Sequence, residues 1–208
     1  MKIAIVATEK EKNELLAQGL EKGVTAEWLE EPTTVPGANC YIDLLFEHNR
    51  ERIEVLKNLQ PATIIINSVK NSLQELPGNF TRVNGWPTFL SRPVAEVSCT
   101  NPVIKEIVGK IFSGFNKITE WVPDVPGFIS ARVVSMIINE AYFAVADNVS
   151  TRDAIDIAMK LGTNYPYGPF EWCKRIGPGN VYQLLESLSA VNSRYKPATL
   201  LKQEALHL

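Results

Sequence analysis

The sequence predicts two domains, an α/β layer followed by an all-α unit, and three observations carry this expectation. Short β-rich apolar runs alternate with helical stretches as far as Asp124, the pattern of a parallel sheet flanked by helices. Beyond Asp124 no strand-like run occurs, and apolar residues recur at helical spacing. The 208 residues are 45% hydrophobic, enough to bury a core in each part. We therefore divide the chain into residues 1–124 and 125–208.

Lys2–Ala7 (KIAIVA) reads as a strand, and Glu9–Lys22 has a helix-forming composition. A short second run, Val24–Leu29, ends in Glu30-Glu31-Pro32. Cys40–Phe46 reads as a strand, and Arg50–Leu59 as an amphipathic helix with Ile53, Leu56 and Leu59 on its apolar side. Thr63–Ile66 is a continuous β-branched run of the kind buried in parallel sheets. Val94–Cys99, a helix over Pro102–Phe112 and a strand over Lys117–Val122 extend the alternation. In the second part Ile129, Val133, Ile137, Ala141 and Val145 recur every four residues, which predicts one long helix from Phe128 to about Asp147. Ser150, with Asp153 three residues on, is the expected N-cap of a helix that Gly162 would close. Phe170–Arg175 and Val181–Leu188 are further helical stretches. The long helix carries more apolar surface than a small bundle hides, so a homodimer through it is expected.

Composition excludes several functions. Lys plus Arg is 21 and Asp plus Glu is 23, a net charge of −2, without the basic stripe that nucleic-acid phosphates require. Cys40, Cys99 and Cys173 are far apart and form no Cys/His cluster, so neither a disulfide framework nor a metal site is expected. The start Met-Lys-Ile-Ala-Ile-Val is too short for a secretory signal, and Val125–Ala146 is interrupted by Arg132, Asn139 and Glu140. The expectation is a soluble cytoplasmic protein that touches neither membrane nor nucleic acid.

An N-terminal strand followed by a helix is where a dinucleotide-binding fold carries its G-x-G-x-x-G turn. Here the strand runs into Thr8-Glu9-Lys10-Glu11-Lys12-Asn13, with no glycine before Gly19. Side chains at these positions obstruct the close approach of a pyrophosphate, and Glu9 and Glu11 add negative charge beside it. Both acids stabilise the helix through its dipole, so the exchange is sound for folding. No cofactor is expected in the usual mode.

The second part carries recognisable text. Asp124-Val125-Pro126-Gly127-Phe128-Ile129-Ser130-Ala131-Arg132, then Ala158-Met159-Lys160-Leu161-Gly162 and Tyr165-Pro166-Tyr167-Gly168-Pro169-Phe170-Glu171, resemble the 3-hydroxyacyl-CoA dehydrogenase family. That family carries D-x-P-G-F-x-x-N-R and A-M-x-x-G-x-x-x-P-x-G-P-F segments at comparable separation, and Arg194–Leu201 resembles its closing segment. Asp43–Glu47, Ile66-Asn67-Ser68 and Val94–Val97 match more faintly the family's later Rossmann strands. The chain is shorter than a typical member, and Gly23–Cys40 is too brief for the helical insert found there.

The resemblance implies a truncated Rossmann-like domain followed by a helical dimerisation domain, with a substrate held between them. It also implies hydride transfer from a 3-hydroxyacyl-CoA thioester to NAD, with a His–Glu pair removing the hydroxyl proton. Glu96 stands at the family's Glu and is the candidate catalytic residue. The His should lie roughly a dozen residues earlier, where the chain reads Arg82-Val83-Asn84-Gly85-Trp86-Pro87-Thr88-Phe89. An ungapped register puts Asn84 there, and one gap puts Pro87 there. An amide accepts no proton near neutral pH, and loss of a general base costs about 10²–10⁴ in rate. The family's Asn before Arg is Ala131 here. His48 and His207 lie outside this stretch. Asn67, Ser68, Asn84 and Trp86 are the candidate substrate-binding residues. The reading is a dehydrogenase-like protein without usual NAD-dependent turnover that binds an acyl-CoA-like or other small ligand. One alternative is an active 3-hydroxyacyl-CoA (3-hydroxybutyryl-CoA) dehydrogenase with a variant NAD site. A second is a structural or partner-binding homodimer, its cleft filled by Trp86 and Phe89.

Overall fold

Alternation along apolar strands builds a sheet with two buried faces. The computed structural model describes residues 1–76 and 79–207, and among these are seven strands and eight α-helices. The strands are β1 (Lys2–Val6), β2 (Thr25–Leu29), β3 (Cys40–Asp43), β4 (Thr63–Asn67), β5 (Phe80–Val83), β6 (Val94–Cys99) and β7 (Ile118–Trp121). They form one sheet in the order β2-β1-β3-β4-β5-β6-β7. Ile3, Ile5, Cys40, Ile42, Ile65, Val83 and Val97 pack on one face with Leu15, Val108, Ile111 and Phe112 from helices α1 (Glu9–Leu15) and α3 (Pro102–Ser113). Ala4, Tyr41, Ile64, Ile66 and Phe80 pack on the other with Ile53 and Leu56 of α2 (Arg50–Lys57). The chain divides into two contact units, Met1–Phe128 and Ile129–Leu208.

The α/β layer followed by helices agrees with the expected fold class. The structure corrects four details. The sheet is not wholly parallel: β5, which the apolar pattern did not predict, pairs parallel with β4 but antiparallel with β6. Helix α1 stops at Leu15, and the 3-10 turn Leu16–Gln18 that follows ends at Gly19, whose φ of +89° takes the chain out of helical geometry. In the second unit Thr151, not Ser150, caps α5 (Arg152–Thr163), its hydroxyl accepting the Ala154 N–H at 3.3 Å. Gly162 lies inside α5, and Asn164 ends the helix in the left-handed region.

The second unit holds α4 (Ser130–Ala146), α5, α6 (Pro169–Ile176), α7 (Pro178–Ser189) and α8 (Thr199–Leu206). Its motif residues do packing work. The buried Asp156 carboxylate accepts the N–H groups of Phe170 at 2.8 Å and Glu171 at 3.1 Å, satisfying the first turn of α6. Gly168 lies so close to Asp156 that a side chain there would overlap it. Asn139 of α4 ties down the closing segment, accepting from Ala198 N at 2.8 Å and donating to Lys196 O at 3.0 Å. Among the described residues no helix is long and apolar enough to cross a membrane, and no His/Cys/Asp/Glu group could hold a metal.

Strand β5 carries a fully buried cation. Arg82 is 0% exposed, donates to Asp124 at 2.7 Å and to Val125 O at 3.2 Å, and lies 4.7 Å from the Phe128 ring centroid. Asp124 also accepts the Leu73 N–H at 2.8 Å. Removing one member of such a pair leaves a buried charge without its counter-ion. Asp124→Ala is expected to lower stability by about 3–5 kcal/mol, measured as a shift in the urea unfolding midpoint at unchanged slope.

Candidate functional site

In open α/β sheets ligands sit outside the carboxyl ends of the strands, where the strand order reverses. Here that place is the end of β1, flanked by β2 and β3. A groove of about 590 Å³ opens nearby, lined in part by Glu31, Leu45, Glu47, Asn49, Glu51 and Arg52. Arg52 spans it: Nε donates to Asp43 at 2.7 Å, Nη2 donates to the same carboxylate at 3.0 Å, and Nη1 pairs with Glu31. Burial raises the Asp43 carboxyl, opposed by Arg52 and the Leu45 N–H.

The loop from β1 to α1 closes on itself. Thr8 caps α1, its hydroxyl accepting the Lys10 N–H at 3.2 Å. The Glu11 carboxylate turns back to accept the Thr8 N–H at 3.1 Å and the Thr8 hydroxyl, completing a capping box. Glu9 pairs with Lys12 at 2.9 Å, and Lys12 lies over the Trp28 ring.

At the ends of β4, β5 and β6 the candidate residues cluster. Asn84 follows β5 and is buried; its Nδ2 donates to Glu96 Oε2 at 3.0 Å, and its Oδ1 accepts the Trp86 N–H at 3.4 Å. The antiparallel register brings this pair together, Asn84 N donating to Glu96 O at 3.0 Å beside the Val83–Val97 pair. Of the two alignments open in the sequence, the ungapped one therefore has the geometry of a side chain partnered to Glu96. Glu96 is half-buried. Arg92 neighbours it, its guanidinium 4.2 Å from the Phe89 ring centroid; burial lowers the Arg92 pKa and the Glu96 charge opposes that. Asn67 bonds to backbone: Nδ2 donates to Leu44 O at 3.1 Å and Gly85 O at 3.3 Å, and Oδ1 accepts Gly85 N at 3.0 Å. Ser68 donates to Asn71 O at 3.3 Å within its own turn. Trp86 and Phe89 are buried in the segment joining β5 to β6.

Sequence reasoning missed the residues that hold this segment. Glu14 of α1 accepts the Thr88 N–H with both oxygens, at 3.0 and 2.8 Å, where Thr88 adopts a φ of +77°. A β-branched residue is strained there and persists only when its surroundings fix it. Lys117 donates to Leu90 O at 2.5 Å and Arg92 O at 2.8 Å. Nothing in the sequence separates Glu14 or Lys117 from ordinary solvated charges. Arg132 lies over the Tyr195 ring, 5.7 Å from its centroid.

The chain matches known proteins. Residues 127–207 match the 3-hydroxyacyl-CoA dehydrogenase C-terminal domain. The chain is 45% identical over 87 residues to 3-hydroxyadipyl-CoA dehydrogenase of Escherichia coli K12, covering 41% of this chain and 18% of that protein. It is 36% identical over 165 residues to 3-hydroxybutyryl-CoA dehydrogenase of Clostridioides difficile, covering 71% of this chain and 59% of that one. It thus spans less than two thirds of the length of these relatives. The crystal structure of (S)-3-hydroxybutyryl-CoA dehydrogenase from Ralstonia eutropha superposes with a TM-score of 0.74, 16% identity and coverage of 97% and 92% of the two chains, a likeness of fold.

Burial lowers the Lys117 ammonium to about 8, with the Glu14 charge opposing. Between about 8 and the ordinary lysine value the unfolded chain binds the proton and the folded chain does not, so this group adds stability as pH rises. The stability difference between wild type and Lys117→Met is expected to grow in favour of wild type from about pH 8 to about pH 10, read from urea unfolding at each pH.

Proposed function

From a chain whose helical unit matches the 3-hydroxyacyl-CoA dehydrogenase C-terminal domain, we propose a dehydrogenase-like protein that binds an acyl-CoA-like ligand without the usual NAD-dependent turnover. The observation that supports this reading is the Asn84–Glu96 hydrogen bond. The resemblance implies a proton-accepting side chain facing Glu96. An amide faces it instead, and an amide donates and accepts hydrogen bonds but takes up no proton near neutral pH. The cluster can orient a ligand oxygen; it lacks the base that would ionise a hydroxyl. Acetoacetyl-CoA is expected to bind in calorimetry, with Asn84→Ala weakening it about threefold to tenfold, the size of one hydrogen bond. No NADH oxidation above a protein-free control is expected with the same compound.

The second reading, an active 3-hydroxybutyryl-CoA dehydrogenase with a variant NAD site, is favoured by the names of the relatives and by the carboxylate at position 96. The oxidation assay separates the two. Turnover that disappears in Glu96→Gln would establish the active enzyme and make Glu96 its acid or base.

We also propose that the helical unit pairs with a second copy of itself. Val133 of the long helix α4, on which the sequence places the contact, is 53% exposed, and on α5 Ile157 is 53% and Leu161 is 83% exposed and they share one side of that helix. Wild type is expected to elute with the mass of a dimer in size exclusion with light scattering, and Leu161→Asp with that of a monomer. A Leu161→Asp protein that remains dimeric would place the contact elsewhere.

A further inference from the structure

We infer that the α/β unit holds no dinucleotide of its own because its anion seat is filled by the chain's own Glu11 carboxylate. A pyrophosphate is held in this fold by the free N–H groups at the start of the first helix, approached over glycines. In this chain the N–H of Thr8 is taken by Glu11 and that of Lys10 by the Thr8 hydroxyl. An internal anion therefore sits where the external one would be received. The surroundings do not favour a second anion. The Lys12 ammonium in the same turn is already paired with Glu9, and α1 has only seven residues. Beyond the turn, the groove at the strand ends contributes Glu31, Glu47 and Glu51, while the Arg52 guanidinium is already engaged by Asp43 and Glu31. The residues present thus do not fit the phosphates of NAD, and the family's cofactor is not supplied with a seat by this unit.

This inference does not depend on the acyl-CoA reading, since binding of acetoacetyl-CoA is compatible with either outcome. The test is calorimetric titration of NADH into wild type, Glu11→Gln, and the Thr8→Gly/Glu11→Gln pair. Glutamine preserves the capping geometry and removes the charge, which guards against a variant that merely fails to fold. Far-UV circular dichroism and a cooperative thermal transition verify each protein. Wild type is expected to give no saturable heat up to about 1 mM NADH. The pair is expected to bind at least about tenfold more tightly than wild type, because a like charge in contact with the phosphate has been removed. Saturable binding of NADH by wild type below that concentration overturns the inference. So does a folded pair that binds no better than wild type.

Discussion

Arg82 carries the heaviest constraint in the α/β unit. A guanidinium at 0% exposure in the middle of a strand is tolerable only with a counter-ion and several hydrogen-bond acceptors around it. Asp124, Val125 O and the Phe128 ring supply them, so the segment after β7 must fold back over β5. Gly127 and Phe128 both take positive φ, and Gly127 N donates to Val69 O at 2.8 Å. Asp124, Gly127 and Phe128, the residues that made the D-x-P-G-F text recognisable, thus lock one strand in place. Residues two apart on a strand share a face, so fixing Arg82 also fixes Asn84, and the antiparallel pairing with β6 sets Asn84 against Glu96.

Polar groups at the carboxyl edge of the sheet are turned toward the protein. Glu11 serves Thr8, Arg52 joins Asp43 to Glu31, Asn67 clips the backbone after β3 and β5, and Glu14 holds Thr88. Each contact satisfies a donor or acceptor that a ligand could otherwise have met. The same sheet can therefore persist while the chemistry around it changes, because packing depends on the apolar faces and activity on a few edge residues.

Strands rich in apolar residues were legible in the sequence: β1 and β4 declare themselves by continuous apolar stretches, β3 and β6 by apolar residues broken only by Asp43 or by Glu96 and Ser98, and α4 by its four-residue recurrence. Strand β5 was not, because Thr81 and Arg82 break its apolar pattern and look like loop residues until Asp124 is placed beside them. The cap of α5 was misjudged by one residue because Ser150 and Thr151 are both good capping residues, and only the helix start decides between them. Of the site, the absence of histidine from residues 82–89 and the presence of Glu96 could be read directly, whereas the partnership of Asn84 with Glu96 could not be chosen over a gapped alignment.

By itself the sequence determined the order of the layers, the helical character of the second unit and the lack of glycine between β1 and Gly19, because these follow from local periodicity and residue type. Tertiary structure decided which charges are buried, that β6 and β7 run against the other five strands, and which carboxylate meets which donor. Those outcomes rest on pairs far apart in the chain, such as Arg82 with Asp124 and Glu14 with Thr88, and a desolvated charge is stable only where the fold has already brought its partner.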